Sequence, residues 1–205
     1  MHISWLGQTC VKIQTKNDEQ DAVIVINPYK PNKGVFPRSL APDIALFSAG
    51  TKGGITLSQN PFVIETTGEF ELKNIVIYSI PHEKENHIFK FSTEEMVVIH
   101  LGLINKKISP NLMEKIMSPD ILFVPVGNSG KYLDTREIID LINEIEPRII
   151  IPIAHKCDTE PNVDPVSKFI SEIGLKPEEE NGKVIIKKRD LPQEDTQLIV
   201  INKES

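Results

Sequence analysis

Apolar and polar positions alternate with a period of two through the first half of the chain, and shift to a helical period in parts of the second. Residues 2–6, 10–15 and 22–27 read as short β-strands, with Gly7-Gln8-Thr9 and residues 16–21 as the turns between them. Asn27-Pro28-Tyr29 closes the third run. Residues 30–42, punctuated by Pro31, Pro37 and Pro42, form a loop, and residues 43–47 a fourth strand whose apolar run (Ile44, Ala45, Leu46, Phe47) has the character of a buried one. Further β-type runs at 62–65, 74–80, 87–92 and 96–101 are separated by Gly, Pro and polar clusters.

The period then changes. Ser109 caps a helix with Pro110 at its first position and an apolar stripe of Leu112, Met113, Ile116 and Met117. Residues 120–126 form an apolar strand. Asp134 caps a second helix, with Glu137 placed for a capping box and Ile138, Leu141, Ile142 and Ile145 at helical spacing; Pro147 stops it. Residues 148–153 read as another buried strand. A last helix runs from Asp164 as cap and Pro165 as first position, through Val166, Phe169, Ile170 and Ile173, to Gly174 as its C-terminal cap. Strands at 183–187 and 196–201 follow. Many short strands with helices late in the chain predict a layered α/β protein, and residues 1–205 contain no repeat or low-complexity linker that would divide the single domain.

Composition narrows the partners. The formal net charge is −6 with both signs mixed along the chain, which argues against nucleic acid or an anionic membrane. Lys187-Lys188-Arg189 sits beside Glu178-Glu179-Glu180 and Asp190, and reads as a solvated edge rather than a phosphate patch. Cys10 and Cys157 are too few for a zinc knuckle or a disulfide framework. The opening residues enter a strand pattern at once, and no apolar run is long enough to cross a bilayer, so a cytoplasmic protein without a signal peptide is expected.

Several segments, taken in order, resemble the short metallo-β-lactamase-fold hydrolases. Ile3-Ser4-Trp5-Leu6-Gly7-Gln8-Thr9-Cys10 is similar to their opening strand and Gly-His-Ser-Cys turn, and Ile26-Asn27-Pro28-Tyr29 to their Ile-Asp-Pro-Phe. Thr67-Gly68-Glu69-Phe70-Glu71-Leu72 resembles Pro-Gly-Glu-Tyr-Glu-Val, and His100-Leu101-Gly102-Leu103 their His-Leu-Gly-Asp. Residues 120–127 are similar to a strand ending in Pro-Val-Gly-Gly, and 146–152 to the run before Pro-Met-His. The likeness is collinear from Met1 to about Asn202. It implies an αββα sandwich of two mixed β-sheets flanked by helices.

The same resemblance implies a pair of zinc or other divalent ions, so each ligand position must be read in this chain. The family's His-x-His-x-Asp-His follows the strand equivalent to 44–47; here the four positions are Ser48, Gly50, Lys52 and Gly53. A neutral hydroxyl is a poor ligand, glycine has no side chain, and lysine brings positive charge to a cationic centre. The bridging aspartate becomes Leu103, and the late histidine becomes Ala154 with His155 one place beyond. His82, in Ile80-Pro81-His82-Glu83, is either a vestigial ligand or a loop histidine. Divalent sites need three or four fixed ligands, so no metal cofactor is expected.

Other candidates remain open on their residues. His155 and Cys157 either share a metal or are surface or partly packed groups. His100 packs at a strand end, and His2 and His87 show only ordinary strand placement. Gly50-Thr51-Lys52-Gly53-Gly54 lacks the spacing and the following helix of a P-loop, but Lys52 among glycines could hold an anion; otherwise it is a flexible loop. Glu69 and Glu71 share one strand face, as an acid–base pair or as a structural element. The expected function is a pseudoenzyme that acts as a scaffold, a binding protein or the regulatory partner of an active relative. The alternative is a metal-dependent hydrolase with a reduced or relocated site of His82, Lys52, His155 and Glu69. The expected partner is another protein or a second copy, and an exposed Leu103 on the former active-site face would suit a homo-oligomer.

Overall fold

The computed structural model of the protein describes residues 1–17, 19–37, 40–83, 86–128 and 130–204. Position 18 of the predicted turn 16–21 and positions 38 and 39 of the predicted loop 30–42 lie outside them. In chain order the elements are β1 (His2–Gly7), β2 (Cys10–Asn17), β3 (Gln20–Ile26), β4 (Ile44–Leu46), β5 (Phe62–Ile64), β6 (Gly68–Leu72), β7 (Ile75–His82), β8 (Asn86–Thr93) and β9 (Met96–His100). There follow α1 (Pro110–Ile116), β10 (Ile121–Pro125), α2 (Thr135–Ile145), β11 (Ile149–Ile153), α3 (Val166–Ile173), β12 (Pro177–Asn181), β13 (Val184–Ile185), a 3₁₀ turn (Lys188–Asp190) and β14 (Gln197–Asn202).

Two mixed sheets result. One has six strands in the order β13-β1-β2-β3-β4-β5, and the other eight in the order β12-β14-β11-β10-β9-β8-β7-β6. Strict alternation builds the layers. In β10, Ile121 and Phe123 face the core between the sheets, while Leu122 and Val124 face the helices; in β9, Val98 and Ile99 divide the same way. The inter-sheet core is mainly apolar, with Trp5, Phe89, Phe91 and Phe123 fully buried, each contributing on the order of 2 kcal/mol of burial free energy, and the Thr15 and Thr93 hydroxyls bond across it at 2.7 Å. Leu112 and Ile116 of α1, Ile138, Leu141 and Ile142 of α2, and Phe169 of α3 close the outer face of the eight-stranded sheet. On the six-stranded sheet, Tyr29, Phe36, Leu40, Ile55 and Leu57 from the long β3–β4 and β4–β5 connections pack over Leu6, Cys10 and Val25.

The helix ends carry their own chemistry. Asp134 accepts the Glu137 N–H at 2.9 Å and Glu137 reaches back to the Asp134 N–H, the reciprocal box the spacing predicts. For α3 the expected cap shifts: Pro165 occupies the cap position, and Asp164 instead pairs with Lys168 at 2.8 Å. Gly174 ends that helix in the left-handed region, as expected (φ 75°). Glu178-Glu179-Glu180, not expected as a strand, lies in β12 and pairs in parallel with β14. Lys188 of the basic cluster is 3.4 Å from Asp120. Among the described residues, no helix is long and apolar enough to cross a membrane.

Candidate functional site

β9, β10 and β11 run parallel, so their C-terminal ends converge on one end of the sandwich, where β8 begins and β7 finishes. Ser48, two residues past β4, arrives at the same end: its carbonyl accepts the His87 N–H at 2.8 Å. Ser48 is completely buried. Its backbone N–H and its hydroxyl both donate to Asn27 Oδ1, at 2.8 and 2.9 Å, and Asn27 Nδ2 donates to Thr9 Oγ1 at 3.1 Å. Asn27 itself sits in the left-handed region (φ 50°), a conformation that asparagine tolerates better than most residues.

The chain of polar groups continues through Thr9. Its carbonyl lies 3.0 Å from His100 Nε2, while His100 Nδ1 accepts the Gly102 N–H at 3.0 Å. That acceptor role puts the ring proton on Nε2, so His100 is a neutral donor to Thr9. Burial holds its pKa down to about 4. Gly102 (φ 64°) is pressed so closely that a Cβ would stand 2.5 Å from the His87 carbonyl and 2.9 Å from Ser48 Cβ. His100 therefore packs, as expected, but as one member of a bridge from β9 to the β1–β2 turn.

Of the positions that the resemblance singles out, the fold brings Ser48 and Leu103 to this cluster. Leu103 is half-buried rather than exposed, and Asn86 Nδ2 donates to its carbonyl at 2.8 Å. Gly50, Lys52 and Gly53 are carried away from it. The loop is tied by Lys30 N–H to the Gly53 carbonyl at 2.9 Å and by Thr51 N–H to Glu65 at 3.2 Å, and Lys52 is exposed. Glu69 and Glu71 are exposed on β6, and Glu69 lies against the Tyr78 hydroxyl. His82 is not a loop residue: it ends β7, is 5% exposed, and its Nε2 has no partner among the described residues.

Ala154 and His155 leave β11 together. Ala154 takes a left-handed conformation (φ 57°), held by its N–H to the Gln8 carbonyl at 2.8 Å. Gly127, where a Cβ would fall 2.0 Å from the Ala154 carbonyl, leaves it no room to swing. This bend turns His155 inward. Expected at the surface or partly packed, it is 5% exposed, its ring tilted by 40° against Trp5 with centroids 4.0 Å apart. Among the described residues neither ring nitrogen has a partner, and burial lowers its pKa to about 4. Cys157 is partly packed, its Sγ 3.2 Å from Thr159 Oγ1.

These groups do not fit a divalent metal pair. Among the described residues, no three His, Cys, Asp or Glu side chains are gathered closely enough to hold an ion. The hydroxyl at the first ligand position is already committed to Asn27, and the positions beside it supply no donor. Sequence reasoning missed Asn27, Thr9 and Trp5 as members of this end. Asn27 in place of the family's aspartate was the signal: an amide accepts from Ser48 and donates to Thr9 at once, which a carboxylate cannot do.

Comparison with known proteins places this geometry. Residues 2–154 match the family model of the β-lactamase superfamily domain. A structure from Thermotoga maritima, an inferred Zn-dependent hydrolase of the metallo-β-lactamase superfamily, is similar over 98% of this chain and 100% of its own, with 21% identity and a TM-score of 0.80. Igni18, a metallo hydrolase from Ignicoccus hospitalis, covers 84% of this chain and 90% of its own at 13% identity and a TM-score of 0.61. The isothiocyanate hydrolase from Delia radicum gut bacteria covers 97% and 96% at 11% identity and a TM-score of 0.60. At such identities these likenesses speak for the fold alone. No curated protein matches the chain in sequence. The family match and the two-sheet architecture together establish that the chain belongs to the metallo-β-lactamase superfamily.

Proposed function

We propose that this protein has exchanged its superfamily's metal site for a buried hydrogen-bonded bridge and acts in the cytoplasm by binding, as a scaffold or as the regulatory partner of an active relative. One observation carries the reading. At the place where the resemblance puts the first imidazole ligand stands Ser48, fully buried, with both its donors bound to Asn27 Oδ1. A group so satisfied stabilises the sheet end and offers nothing to an ion. The free thiols Cys10 and Cys157 agree with a reducing compartment.

The test is elemental analysis of the purified chain, with melting temperature recorded with and without a chelator. The expected result is far less than one zinc, iron or manganese per chain and an unmoved transition, since a bound ion raises stability by linkage. No turnover of a phosphodiester, a lactone or a β-lactam is expected after metal is added. One ion per chain with a chelator-sensitive transition would refute the proposal. A second reading, a hydrolase with a reduced site, draws on His155, buried with two ring nitrogens that have no partner among the described residues. Binding of one ion that His155→Phe abolishes would establish that reading instead.

A further inference from the structure

Among the described residues, β6 has a neighbouring strand on one side only. Lys73 and Asn74, both at positive φ (51° and 60°), make its two-residue turn into β7, and Leu72 stands across from Ile75. In such a hairpin the residues flanking the turn exchange both main-chain hydrogen bonds, and every second residue along the strand repeats this. Leu72, Phe70 and Gly68 therefore commit their peptide groups to β7. The N–H and C=O groups of Glu69 and Glu71 point away from the sheet.

Side chains sort in the same alternation. Phe70 and Leu72 turn inward against the inter-sheet core, and Glu69 and Glu71 are exposed on the other face. Neither carboxylate joins an ion pair among the described residues; Glu69 lies against Tyr78, whose phenol its charge pushes up. Beside them β5, the edge of the facing sheet, leaves Phe62 46% and Val63 42% exposed, and the Phe62 ring meets Phe70 edge-on at 6.2 Å. This side of the sandwich thus offers open peptide groups, an apolar strip and two exposed carboxylates, that of Glu69 accepting from the Tyr78 hydroxyl.

We propose that the β6 edge is the docking site for an extended segment of a partner protein in which Lys or Arg alternates with aliphatic residues. A strand added there pairs through the peptide groups of Glu69 and Glu71. Its side chains fall alternately on the two faces: the aliphatic set covers Phe62, Phe70 and Leu72, and the basic set meets the carboxylates. The β6 edge of a second copy does not serve. Antiparallel pairing centred on Phe70 sets Glu69 opposite the copy's Glu71, and in-register parallel pairing sets like residues side by side, so both oppose like charges. The proposal gives the binding role suggested above its surface, and it rests on that role rather than on loss of the metal.

The experiment titrates an acetylated, amidated Lys-Val-Lys-Ile-Lys peptide into the full chain, followed by fluorescence anisotropy and amide hydrogen exchange. The amides of Glu69 and Glu71 should slow. The Glu69→Lys/Glu71→Lys variant should bind this peptide roughly tenfold more weakly and take up Glu-Val-Glu-Ile-Glu instead; Glu69→Gln/Glu71→Gln, which keeps the side-chain shape, should weaken it too. Unchanged exchange at both amides overturns the proposal, as does equal binding of a peptide of the same composition with its lysines contiguous. Self-association in sedimentation that the charge-reversed variant abolishes also overturns it, in favour of a second copy. A chain found to carry metal that still shows the protection would defeat the earlier reading and support this one.

Discussion

Asn27 binds two donors of Ser48 and one acceptor on Thr9 from a backbone held at φ 50°, so its side chain and its conformation contribute separately. Substitution can divide them. Asn27→Gly relieves the backbone and removes only the side chain, leaving the Ser48 N–H and hydroxyl buried without an acceptor; the expected loss is about 2 kcal/mol. Asn27→Ala adds the strain of a left-handed alanine, about 1 kcal/mol more. Urea unfolding with an unchanged slope reads both, and a neutral Asn27→Gly would mean that the bridge holds nothing together. At this scale the chain was legible only in part. The replaced ligands at Ser48 and Leu103 stand out residue by residue against the family pattern. The Asn27–Ser48 bond joins residues just past the ends of β3 and β4, which no period or spacing connects.

Elements were read more fully, because one buried face imposes a pattern on a strand or helix. The alternation in β8, β9 and β10 and the spacing of Ile138, Leu141, Ile142 and Ile145 in α2 follow directly from where the core lies. β12 was missed for the converse reason. Its Pro-Glu-Glu-Glu-Asn run has no fully buried residue and is tied to β14 through the backbone, so nothing in its side chains announces a strand. A cap, by contrast, is local chemistry. Asp134→Ala removes the acceptor for the Glu137 N–H and should cost about 1 kcal/mol. Asp164→Ala should cost less, since Asp164 makes only a partly exposed pair with Lys168 and no cap bond. Equal losses for the two would show that the box in α2 adds nothing beyond an ion pair.

For the whole molecule, the distribution of histidines decides how the fold responds to acid. His87 and His100 lie beside Ser48, His82 ends β7 and His155 follows β11, and burial lowers the pKa of each, to about 4 for His100 and His155. The fold holds the neutral rings. Below the ordinary value of 6.5 the unfolded chain takes up protons that the folded rings refuse, so stability is full above about pH 6.5 and falls as the pH drops towards 4. Shifts of this size correspond to roughly 3 kcal/mol for each of the two deeply buried rings. Carboxylates with lowered values, Asp43, Glu94, Asp158 and Glu204, start from 3.8 or 4.5, so their contribution is lost only at lower pH. The interval from pH 6.5 to 5 therefore isolates the histidines. Urea midpoints should be level from pH 8 to 7 and decline through that interval. His155→Phe keeps the ring contact with Trp5 and removes two nitrogens that have no partner among the described residues, so it should match or exceed the parent at pH 8 and show a shallower decline. An unaltered slope in that variant would mean that His155 takes up its proton as readily folded as unfolded, and that this end of the sandwich admits water to the ring.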